Sequence, residues 1–303
     1  MRIIFLGTPD FSVPSLDVIV KSGHEVVAVV TMPDKPAGRG MQLQQSAVKK
    51  YAVENNIKVL QPVKLKDPEF IVELQALNAD LQVVIAFRML SQVVWQMPKF
   101  GTLNLHASLL PDYRGAAPIN WAIINGETKT GVSTFFLKHE IDTGDVLLTK
   151  SVEITPTMNA GELHDLLMEI GAETVLKSLE LIENGNIQGT PQGHDNNKMA
   201  PKIFKENCLI NWENNAKNIY NLIRGLSPYP AAFTHFENKI LKVFEASYEA
   251  TNHQEPIGKM ISDNKTFLKV ACKNGYVHLL QIQLEGKKRM KIDEFLRGNK
   301  ISS

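Results

Sequence analysis

The first half of the chain alternates short apolar runs with segments of helical periodicity. The apolar runs cover residues 2–7, 25–31, 81–87 and 102–106. The segments with helical periodicity cover residues 12–21, 46–55 and 68–77. Continuous apolar runs of this length are typical of strands buried on both faces, and their alternation with helices indicates helical crossovers between parallel strands. The pattern predicts an α/β fold with a Rossmann-like, mostly parallel sheet and flanking helices.

The pattern changes after a long helical segment at residues 160–184, which ends at a natural helix stop, Asn184-Gly185. Residues 189–201 are polar and rich in Gly, Pro and Asn, which is typical of a linker. A helix is predicted at 213–224. The short apolar runs after it cover residues 239–248, 258–261, 267–271 and 276–284. Their spacing predicts a small C-terminal β-barrel, OB-like, or a sandwich. We therefore expect a first domain at 1–189, a linker at 190–205 and a C-terminal domain at 206–303.

Composition is ordinary for a globular protein, with 44% hydrophobic and 21% charged residues in a chain of 303. The two cysteines, Cys208 and Cys272, match neither a metal-binding spacing nor a disulfide framework, which favours a reducing, cytoplasmic environment. The apolar start of the chain is too short for a signal peptide. No apolar stretch reaches the roughly 18 residues that suggest a membrane span. We expect a monomer that binds no metal.

The charges are distributed unevenly, although the net charge is only +1. Residues 206–303 carry 14 Lys and Arg against 10 Asp and Glu, so this part is mildly basic and the remainder mildly acidic. A net charge this low argues against a protein that coats nucleic acid, but the asymmetry permits an anionic partner. On charge alone, a solvated lysine-rich face is the more ordinary explanation.

The first predicted strand ends in Gly7-Thr8-Pro9-Asp10, where a dinucleotide-binding fold carries its glycine fingerprint. Only one glycine is present, and Pro9 and Asp10 stand where a pyrophosphate needs close backbone approach and no negative charge. A nicotinamide-dependent oxidoreductase is therefore a weak alternative. The sequence contains neither a GxxxxGK(S/T) phosphate loop nor an HExxH metal motif.

Polar side chains with catalytic potential lie at the end of another predicted strand. Asn104 and His106 are two residues apart, so they share one face of the strand, at the carboxyl end where parallel sheets bind ligands. A lone histidine is more often structural, but a second polar cluster follows at 139–145 and includes a tight turn that begins at Asp142. An amide, an imidazole and a carboxylate could together polarise a carbonyl, stabilise an oxyanion and manage one proton.

Three short motifs resemble the core pattern of the 10-formyltetrahydrofolate-dependent formyltransferases. They are Asn104-Leu105-His106, Ser108-Leu109-Leu110-Pro111 and Asp142-Thr143-Gly144. The resemblance implies that Asn104, His106 and Asp142 are catalytic and that 10-formyltetrahydrofolate is the co-substrate. It also implies that two loops bind the folate, through Ser108, Leu109, Leu110, Pro111, Phe87, Arg88, Met89 and Leu90.

Further segments resemble the branch of this family that formylates methionyl initiator tRNA for translation initiation. They cover residues 33–40, 113–118, 225–232, 286–290 and 295–298. The resemblance implies that Arg39 and Lys35 contact the tRNA acceptor end. It further implies phosphate contacts from the basic run Lys287, Lys288, Arg289 and Lys291. Residues 86–91 depart from that branch and are closer to the glycinamide ribonucleotide branch, which leaves the side-chain roles of Phe87 and Arg88 open.

The expected reaction is transfer of the formyl group to the α-amino group of methionine on the tRNA. Asn104 and His106 would stabilise the oxyanion, and His106 would also donate or relay a proton. Asp142 would orient the imidazole and favour its protonated form. Three alternatives stay open here: a formyltransferase for another amine (a sugar nucleotide or glycinamide ribonucleotide), a nicotinamide-dependent oxidoreductase, and a non-catalytic RNA-binding protein.

Overall fold

The computed structural model describes residues 1–37, 42–140, 142–186, 188–193 and 198–301. The chain divides into two compact units. The first comprises Met1–Gly115, Gly131–Val152 and His164–Met199. The second comprises Ala116–Thr130, Glu153–Leu163 and Ala200–Ser303. The second unit thus takes in two segments of the front half, while the domain boundary expected at 190–205 stays a prediction.

Strands and helices follow each other along the chain in the order that the apolar pattern indicates. The strands up to residue 200 are β1 (Arg2–Gly7), β2 (Glu25–Val30), β3 (Lys35–Ala37), β4 (Gln42–Gln44), β5 (Val59–Leu60), β6 (Leu81–Ile85), β7 (Thr102–His106), β8 (Arg114–Gly115), β9 (Lys129–Phe136), β10 (Val146–Glu153) and β11 (Met199–Ala200). The helices in the same span are α1 (Val13–Lys21), α2 (Ala47–Glu54), α3 (Pro68–Ala76), α4 (Gln92–Trp95), α5 (Pro118–Ile124) and α6 (Ala160–Glu183).

The later elements are mostly strands. They are α7 (Ala216–Leu226), β12 (Ala232–Phe236), β13 (Lys239–Ala250), β14 (Met260–Ser262), β15 (Leu268–Cys272), β16 (Gly275–Leu284), β17 (Met290–Lys291) and α8 (Ile292–Leu296). Short 3-10 helices lie at Asp10–Ser12 and Lys205–Cys208.

Seven of the described strands form one sheet, in the order β10-β9-β7-β6-β1-β2-β5. β1 pairs in parallel with β2 and β6, β6 pairs in parallel with β7, and β2 pairs in parallel with β5. β9 pairs antiparallel with β7. The central strands are buried along almost their whole length, as expected when both faces of a sheet are covered. The predicted mostly parallel sheet is confirmed.

The carboxyl ends of β1, β6 and β7 meet at one edge of this sheet. Gly7 of β1 is in register with Ile85 of β6, which is in register with Leu105 of β7. The Ser12 hydroxyl donates to the Ile85 carbonyl at 2.8 Å and ties the segment after β1 to this edge. Gly7 has no room for a side chain, because a Cβ there would lie 2.8 Å from the Phe5 ring.

Side-chain caps set the ends of the helices. α2 begins after Ser46, whose hydroxyl accepts a hydrogen bond from the Lys49 backbone at 3.0 Å. α6 begins after Asn159, whose side chain accepts from the Glu162 backbone while the Asn159 backbone donates to the Glu162 side chain. α6 is followed by Gly185 at φ 79°, the left-handed stop that the sequence predicts. No described helix combines the length and apolar character that crossing a bilayer requires.

The second unit is built around an antiparallel sheet in the order β12-β13-β16-β15-β14, with β17 also paired to β16. One face of α7, which carries Ile219 and Ile223, belongs to the same apolar cluster as Val243, Leu279 and Phe295. The predicted strand-rich C-terminal domain is confirmed. β12 was not predicted. Its short run follows two prolines, and only one of its five residues is exposed, so the run shows no clear alternation of buried and exposed positions.

A buried aromatic pair provides a test of this core. Phe295 is 1% exposed, and its ring lies edge-on to Phe236 at a centroid distance of 5.5 Å. We predict that Phe295→Ala lowers the free energy of unfolding by about 3–5 kcal/mol, because it opens a cavity in the core. Urea unfolding followed by circular dichroism measures this change.

Phe204 supplies the matched control, because it carries the same side chain but is 57% exposed. Phe204→Ala is expected to change the free energy of unfolding by less than about 1 kcal/mol. Equal unfolding midpoints for the two variants would contradict the placement of Phe295 in the core.

Candidate active site

Asn104 and His106 lie at the end of β7, on the strand that joins the parallel part of the sheet to antiparallel β9. Asn104 is in register with Phe135 and His106 with Ser133. Because alternate residues of a strand point the same way, the two side chains share one face, as predicted. Among the described residues, none forms a hydrogen bond with the Asn104 side-chain amide. Its N–H donors are therefore available to a ligand at this edge.

His106 is buried and oriented by the backbone of the loop that follows. Its Nε2 lies 2.8 Å from the carbonyl oxygen of Tyr113, which can only accept, so in this geometry Nε2 carries the proton and donates. The other ring nitrogen, Nδ1, lies 3.8 Å from Oδ2 of Asp142. His106 is 7% exposed and Asp142 is also buried. Nδ1 is thus the ring nitrogen that faces the buried carboxylate.

Asp142 sits in a turn that the backbone shapes closely. Its φ of 55° lies in the left-handed region, and Oδ2 accepts a hydrogen bond from the Gly115 backbone N–H at 3.1 Å. The Thr143 hydroxyl donates to the Glu140 carbonyl at 3.0 Å. A Cβ at Gly144 would overlap the carbonyl oxygen of Phe136, so only glycine lets the turn pack this close to the end of β9. The tight turn predicted from the sequence is therefore present, and it delivers the carboxylate to His106.

Gln192 is a site residue that the sequence did not reveal. Its buried Oε1 accepts two hydrogen bonds from the Arg114 guanidinium, at 3.0 Å from Nε and 2.6 Å from Nη2. Its Nε2 donates to the carbonyls of Asp142 at 2.8 Å and Gly144 at 2.6 Å. One amide therefore holds the Asp142 turn to Arg114. The polar, Gly- and Pro-rich stretch around Gln192 predicted a linker and gave no sign of this role.

The loop at 108–111 is anchored to β9 through Ser133. The Ser133 hydroxyl donates to the Ser108 carbonyl at 2.7 Å and accepts from the Leu110 backbone at 3.0 Å. Ser108 and Leu110 are buried, whereas Leu109 and Pro111 are half-buried. The peptide bond before Pro111 is cis. This fixed loop follows directly after His106, so two predicted groups of site residues share one edge of the sheet.

The loop at 87–90 is held mainly by contacts of its own side chains with the protein. Phe87 and Leu90 pack against the apolar cluster beneath the sheet edge. The Arg88 guanidinium donates to the carbonyls of Val63, at 2.8 Å, and Pro62. Burial lowers the pKa of Arg88. Met89 is exposed. In this arrangement the Arg88 side chain braces a neighbouring loop, and Met89 is the side chain that remains accessible.

Lys35 lies on a two-stranded hairpin formed by β3 and β4. Lys35 is exposed and in register with Gln44. The start of the hairpin is fixed by Asp34, which accepts from Lys49 at 2.6 Å and from Gln61 at 2.8 Å. These two hydrogen bonds lower the pKa of Asp34, that from Lys49 most. Arg39 lies outside the described residues.

The basic run predicted to contact phosphates belongs to the second unit. Lys287, Lys288 and Arg289 are all exposed in the turn between β16 and β17. The Arg289 guanidinium lies 4.3 Å from the centre of the Phe244 ring, so its position is fixed by a cation–π contact. Lys291 is exposed at the end of β17. The run therefore presents its cations to solvent.

The arrangement at the edge of the first sheet suits acyl transfer. It combines an amide with no hydrogen-bond partner among the described residues, an imidazole whose Nε2 is held by a backbone carbonyl, and a carboxylate 3.8 Å from the other ring nitrogen. No group of three or more His, Cys, Asp or Glu side chains suited to a metal ion occurs in the part of the chain that is described.

Comparison with known proteins gives matches along almost the whole chain. Residues 1–179 match the family model for formyl transferase, and residues 202–300 match the model for the formyl transferase C-terminal domain. The methionyl-tRNA formyltransferase of Flavobacterium johnsoniae is 55% identical over 303 residues, which cover 98% of this chain and 96% of that protein.

Two solved structures share the fold at lower sequence identity. WlaRD, a sugar 3N-formyl transferase in the presence of dTDP and 5-N-formyl-THF, is 20% identical with a TM-score of 0.71, and the match covers 95% of this chain and 99% of that one. HypX from Aquifex aeolicus, in complex with tetrahydrofolic acid, is 22% identical with a TM-score of 0.67. The match covers 100% of this chain and 48% of HypX, so this chain spans about half of that protein's length.

Two formyl transferase family models match consecutive parts of the chain, and a relative at 55% identity matches it over nearly its full length. The chain therefore belongs to the formyl transferase family.

Proposed function

We propose that this chain transfers the formyl group of 10-formyltetrahydrofolate to the α-amino group of methionyl initiator tRNA. The observation that carries the proposal is that His106, on the strand that bears Asn104, faces the buried carboxylate of Asp142, in the turn before β10. The relative at 55% identity, a methionyl-tRNA formyltransferase, supports the choice of acceptor. Residues 86–91 resemble the glycinamide ribonucleotide branch more closely, but they lie in the loop expected to bind the folate and not the acceptor.

The reaction needs no covalent intermediate on the protein. The amine attacks the formyl carbon, a C–N bond forms, and the carbonyl electron pair moves onto oxygen. Collapse of this adduct breaks the bond from the formyl carbon to the folate nitrogen, which takes up a proton as it leaves. An α-amino group titrates at about 7.7–8.0 in model compounds, so a useful fraction is neutral near pH 7. The protein therefore has to manage one oxyanion and one proton.

Asn104 is the residue positioned to stabilise the oxyanion. Its side-chain N–H donors have no partner among the described residues, and the side chain lies at the carboxyl edge where parallel sheets bind ligands. A donor that is already oriented stabilises developing negative charge without further reorganisation. The residues present therefore fit a formyl donor at this edge.

His106 handles the proton through Nδ1. The Tyr113 carbonyl keeps the Nε2 proton in place, so Nδ1 is the atom that can accept the proton that the amine loses. The imidazolium then faces the Asp142 carboxylate, which stabilises the positive charge until the proton passes to the leaving nitrogen. Asp142 acts by holding and orienting this cation.

The folate is expected to lie against the loops at 87–90 and 108–111. The 108–111 loop is held rigid by Ser133, which favours binding through backbone groups and the sides of Leu109 and Pro111. In the other loop, the Arg88 guanidinium is engaged by Val63 and Pro62, so its role is to brace the loop. Phe87 and Leu90 support the loop from the core, and Met89 supplies an accessible apolar side chain.

The tRNA is expected to meet two basic regions. Lys35, on the hairpin whose start is fixed by Asp34 and Lys49, and Arg39, four residues later in the sequence, would contact the acceptor end. The exposed run at 287–289 would contact phosphates, which gives affinity that falls with salt and little sequence reading. Action in the cytoplasm as a monomer remains our expectation for this reaction.

The catalytic assignment predicts large losses of turnover. Asn104→Ala, His106→Ala and Asp142→Asn are each expected to lower kcat by at least about 100-fold, because each removes an interaction that strengthens in the transition state. The assay follows tetrahydrofolate release with charged initiator tRNA, and uncharged tRNA serves as the blank.

His235→Ala is the matched control, since His235 is exposed on β12 and has no proposed role. It should retain wild-type turnover. A folded His106→Ala enzyme with near-normal kcat would refute the scheme, and equal rates with charged and uncharged tRNA would refute the acceptor.

Gln192 is predicted to position Asp142. Gln192→Ala should lower kcat by about 10-fold to 100-fold with little change in the Michaelis constants, because the turn loses two hydrogen bonds but no substrate contact. Steady-state kinetics measure kcat and the Michaelis constants separately. Gln75→Ala, at an exposed position on α3, is the control.

A second substitution separates the two ends of the Gln192 amide. Gln192→Glu keeps an oxygen acceptor for Arg114 but loses the N–H donors to the Asp142 and Gly144 carbonyls. It should therefore fail to restore kcat. Recovery of turnover by the glutamate would show that Arg114, and not the Asp142 turn, is the important partner.

Arg39→Ala is predicted to weaken use of the tRNA without affecting use of the folate. The Michaelis constant for charged tRNA should rise at least about fivefold, since an ionic contact to the acceptor end is lost, and the salt dependence should become weaker. Lys66→Ala, at an exposed lysine elsewhere in the front half, is the control. Unchanged kinetics for charged tRNA would show that this loop does not contact the tRNA.

A further inference from the structure

A polar stripe on α7 lines a cavity that lies wholly within the second unit. Lys217, Tyr220, Asn221 and Arg224 recur at three- and four-residue spacing, so they share one face of the helix. The opposite face, which carries Ile219, packs into the apolar core. The polar face of α7 is therefore the one that lines the cavity.

The rest of the cavity wall comes from loops and from one strand. These lining residues are Gly126, Glu127, Thr128, Ile154, Thr155, Pro156, Thr157, Ser247 and Tyr248. Every one of them belongs to the second unit. The volume is about 400 Å³, which lies within the range of natural small-molecule sites. The cavity is therefore large enough for one nucleotide.

Arg224 brings a buried positive charge with neutral partners into this cavity. It is 8% exposed, Nε donates to Asn221 at 2.9 Å, and Nη1 donates to the Met158 carbonyl at 2.8 Å. Within the described ranges, it forms no ion pair with a carboxylate, and Nη2 forms no hydrogen bond. Burial lowers the pKa of Arg224, which reflects the cost of a desolvated cation. An anionic ligand would supply the missing counter-charge.

Two aromatic rings stand beside this cation. The Tyr220 and Tyr248 rings lie 5.2 Å apart, and the Tyr220 hydroxyl donates to the Pro156 carbonyl at 3.1 Å, which fixes its orientation. Tyr248 is 41% exposed, so part of its ring is open to a ligand. Aromatic faces of this kind stack nucleobases without strong sequence preference.

The charges of the lining favour an anion. Lys217, exposed one turn before Tyr220, adds a second cation to that of Arg224. Among the lining residues of the described cavity, Glu127 alone carries a carboxylate, so the cations outnumber it. Arginine and lysine are the side chains that bind phosphate groups most readily.

We propose that this cavity binds one nucleotide, with its phosphate at Arg224 and Lys217 and its base on the Tyr248 ring. The proposal goes beyond formyl transfer, since no lining residue belongs to the catalytic set. The nucleotide has two possible sources with the same chemistry: a free nucleoside monophosphate, or one nucleotide of a bound tRNA.

Calorimetric titration of the full chain with adenosine monophosphate tests the site directly, with adenosine and inorganic phosphate as partial ligands. The monophosphate should bind at one site per chain and more tightly than either part. Tyr248→Ala and Lys217→Ala should each weaken its binding at least about fivefold, and Tyr248→Phe should bind as the wild type does. These surface changes are preferred to Arg224 variants, because Arg224 also holds the Met158 carbonyl.

Tyr229→Ala and Lys239→Ala, at exposed positions of the same unit, are the matched controls. Binding of uncharged tRNA by the same variants identifies the source and does not depend on catalysis. Weaker tRNA binding by Tyr248→Ala and Lys217→Ala indicates a nucleotide of the tRNA, whereas weaker binding of the monophosphate alone indicates a free ligand. If both variants bind both probes as the wild type does, or if the controls lose as much, the proposal is overturned.

Discussion

A buried imidazole faces a buried carboxylate in this chain, and much of the surrounding backbone exists to keep them at that separation. Removing two ionisable groups from water is costly unless neighbouring groups satisfy them. Here the Tyr113 carbonyl accepts from His106, and the Gly115 N–H donates to Asp142. The turn at Asp142 needs a left-handed backbone and a glycine two residues later, since no side chain fits against the end of β9. The geometry of the candidate site therefore depends on backbone positions as much as on the two side chains.

Much of the first sheet could be predicted because its strands are apolar without interruption. β7 runs from Thr102 to His106 as expected, and the paired positions Asn104 and His106 follow from the alternation of a strand. Gln192 could not be found in the same way. Its role depends on carbonyls some fifty positions earlier, Asp142 and Gly144, and no local pattern encodes that contact. The sequence predicted two domains, but it did not reveal that Ala116–Thr130 and Glu153–Leu163 belong to the second unit, because that depends on packing between distant segments and not on composition.

Arginines show why a motif alone does not fix a role. Arg88 lies in a segment expected to bind folate, yet its guanidinium is taken up by carbonyls of the preceding loop. Arg224 lies in a segment that the sequence assigned only to a helix, yet it is buried beside two tyrosines with no carboxylate partner among the described residues. Both are desolvated, and burial lowers the pKa of both. The two arginines differ in that the Arg224 guanidinium lines a cavity, whereas the Arg88 guanidinium is bonded to two backbone carbonyls. Only the packed structure reveals this difference.

The choice of acceptor cannot lie in the fold. A sugar formyl transferase shares this architecture with a TM-score of 0.71 at 20% identity, so the sheet and its carboxyl edge are compatible with more than one amine. The oxyanion and the proton arise in any formyl transfer to an amine, whatever the rest of the acceptor. Selection must therefore come from elements that contact the acceptor away from the reacting carbon. The cations proposed for this role in this chain are Lys35 and the basic run at 287–289, which present their charge to solvent. A small amine offers no phosphates to these cations, whereas a polyanion such as tRNA does.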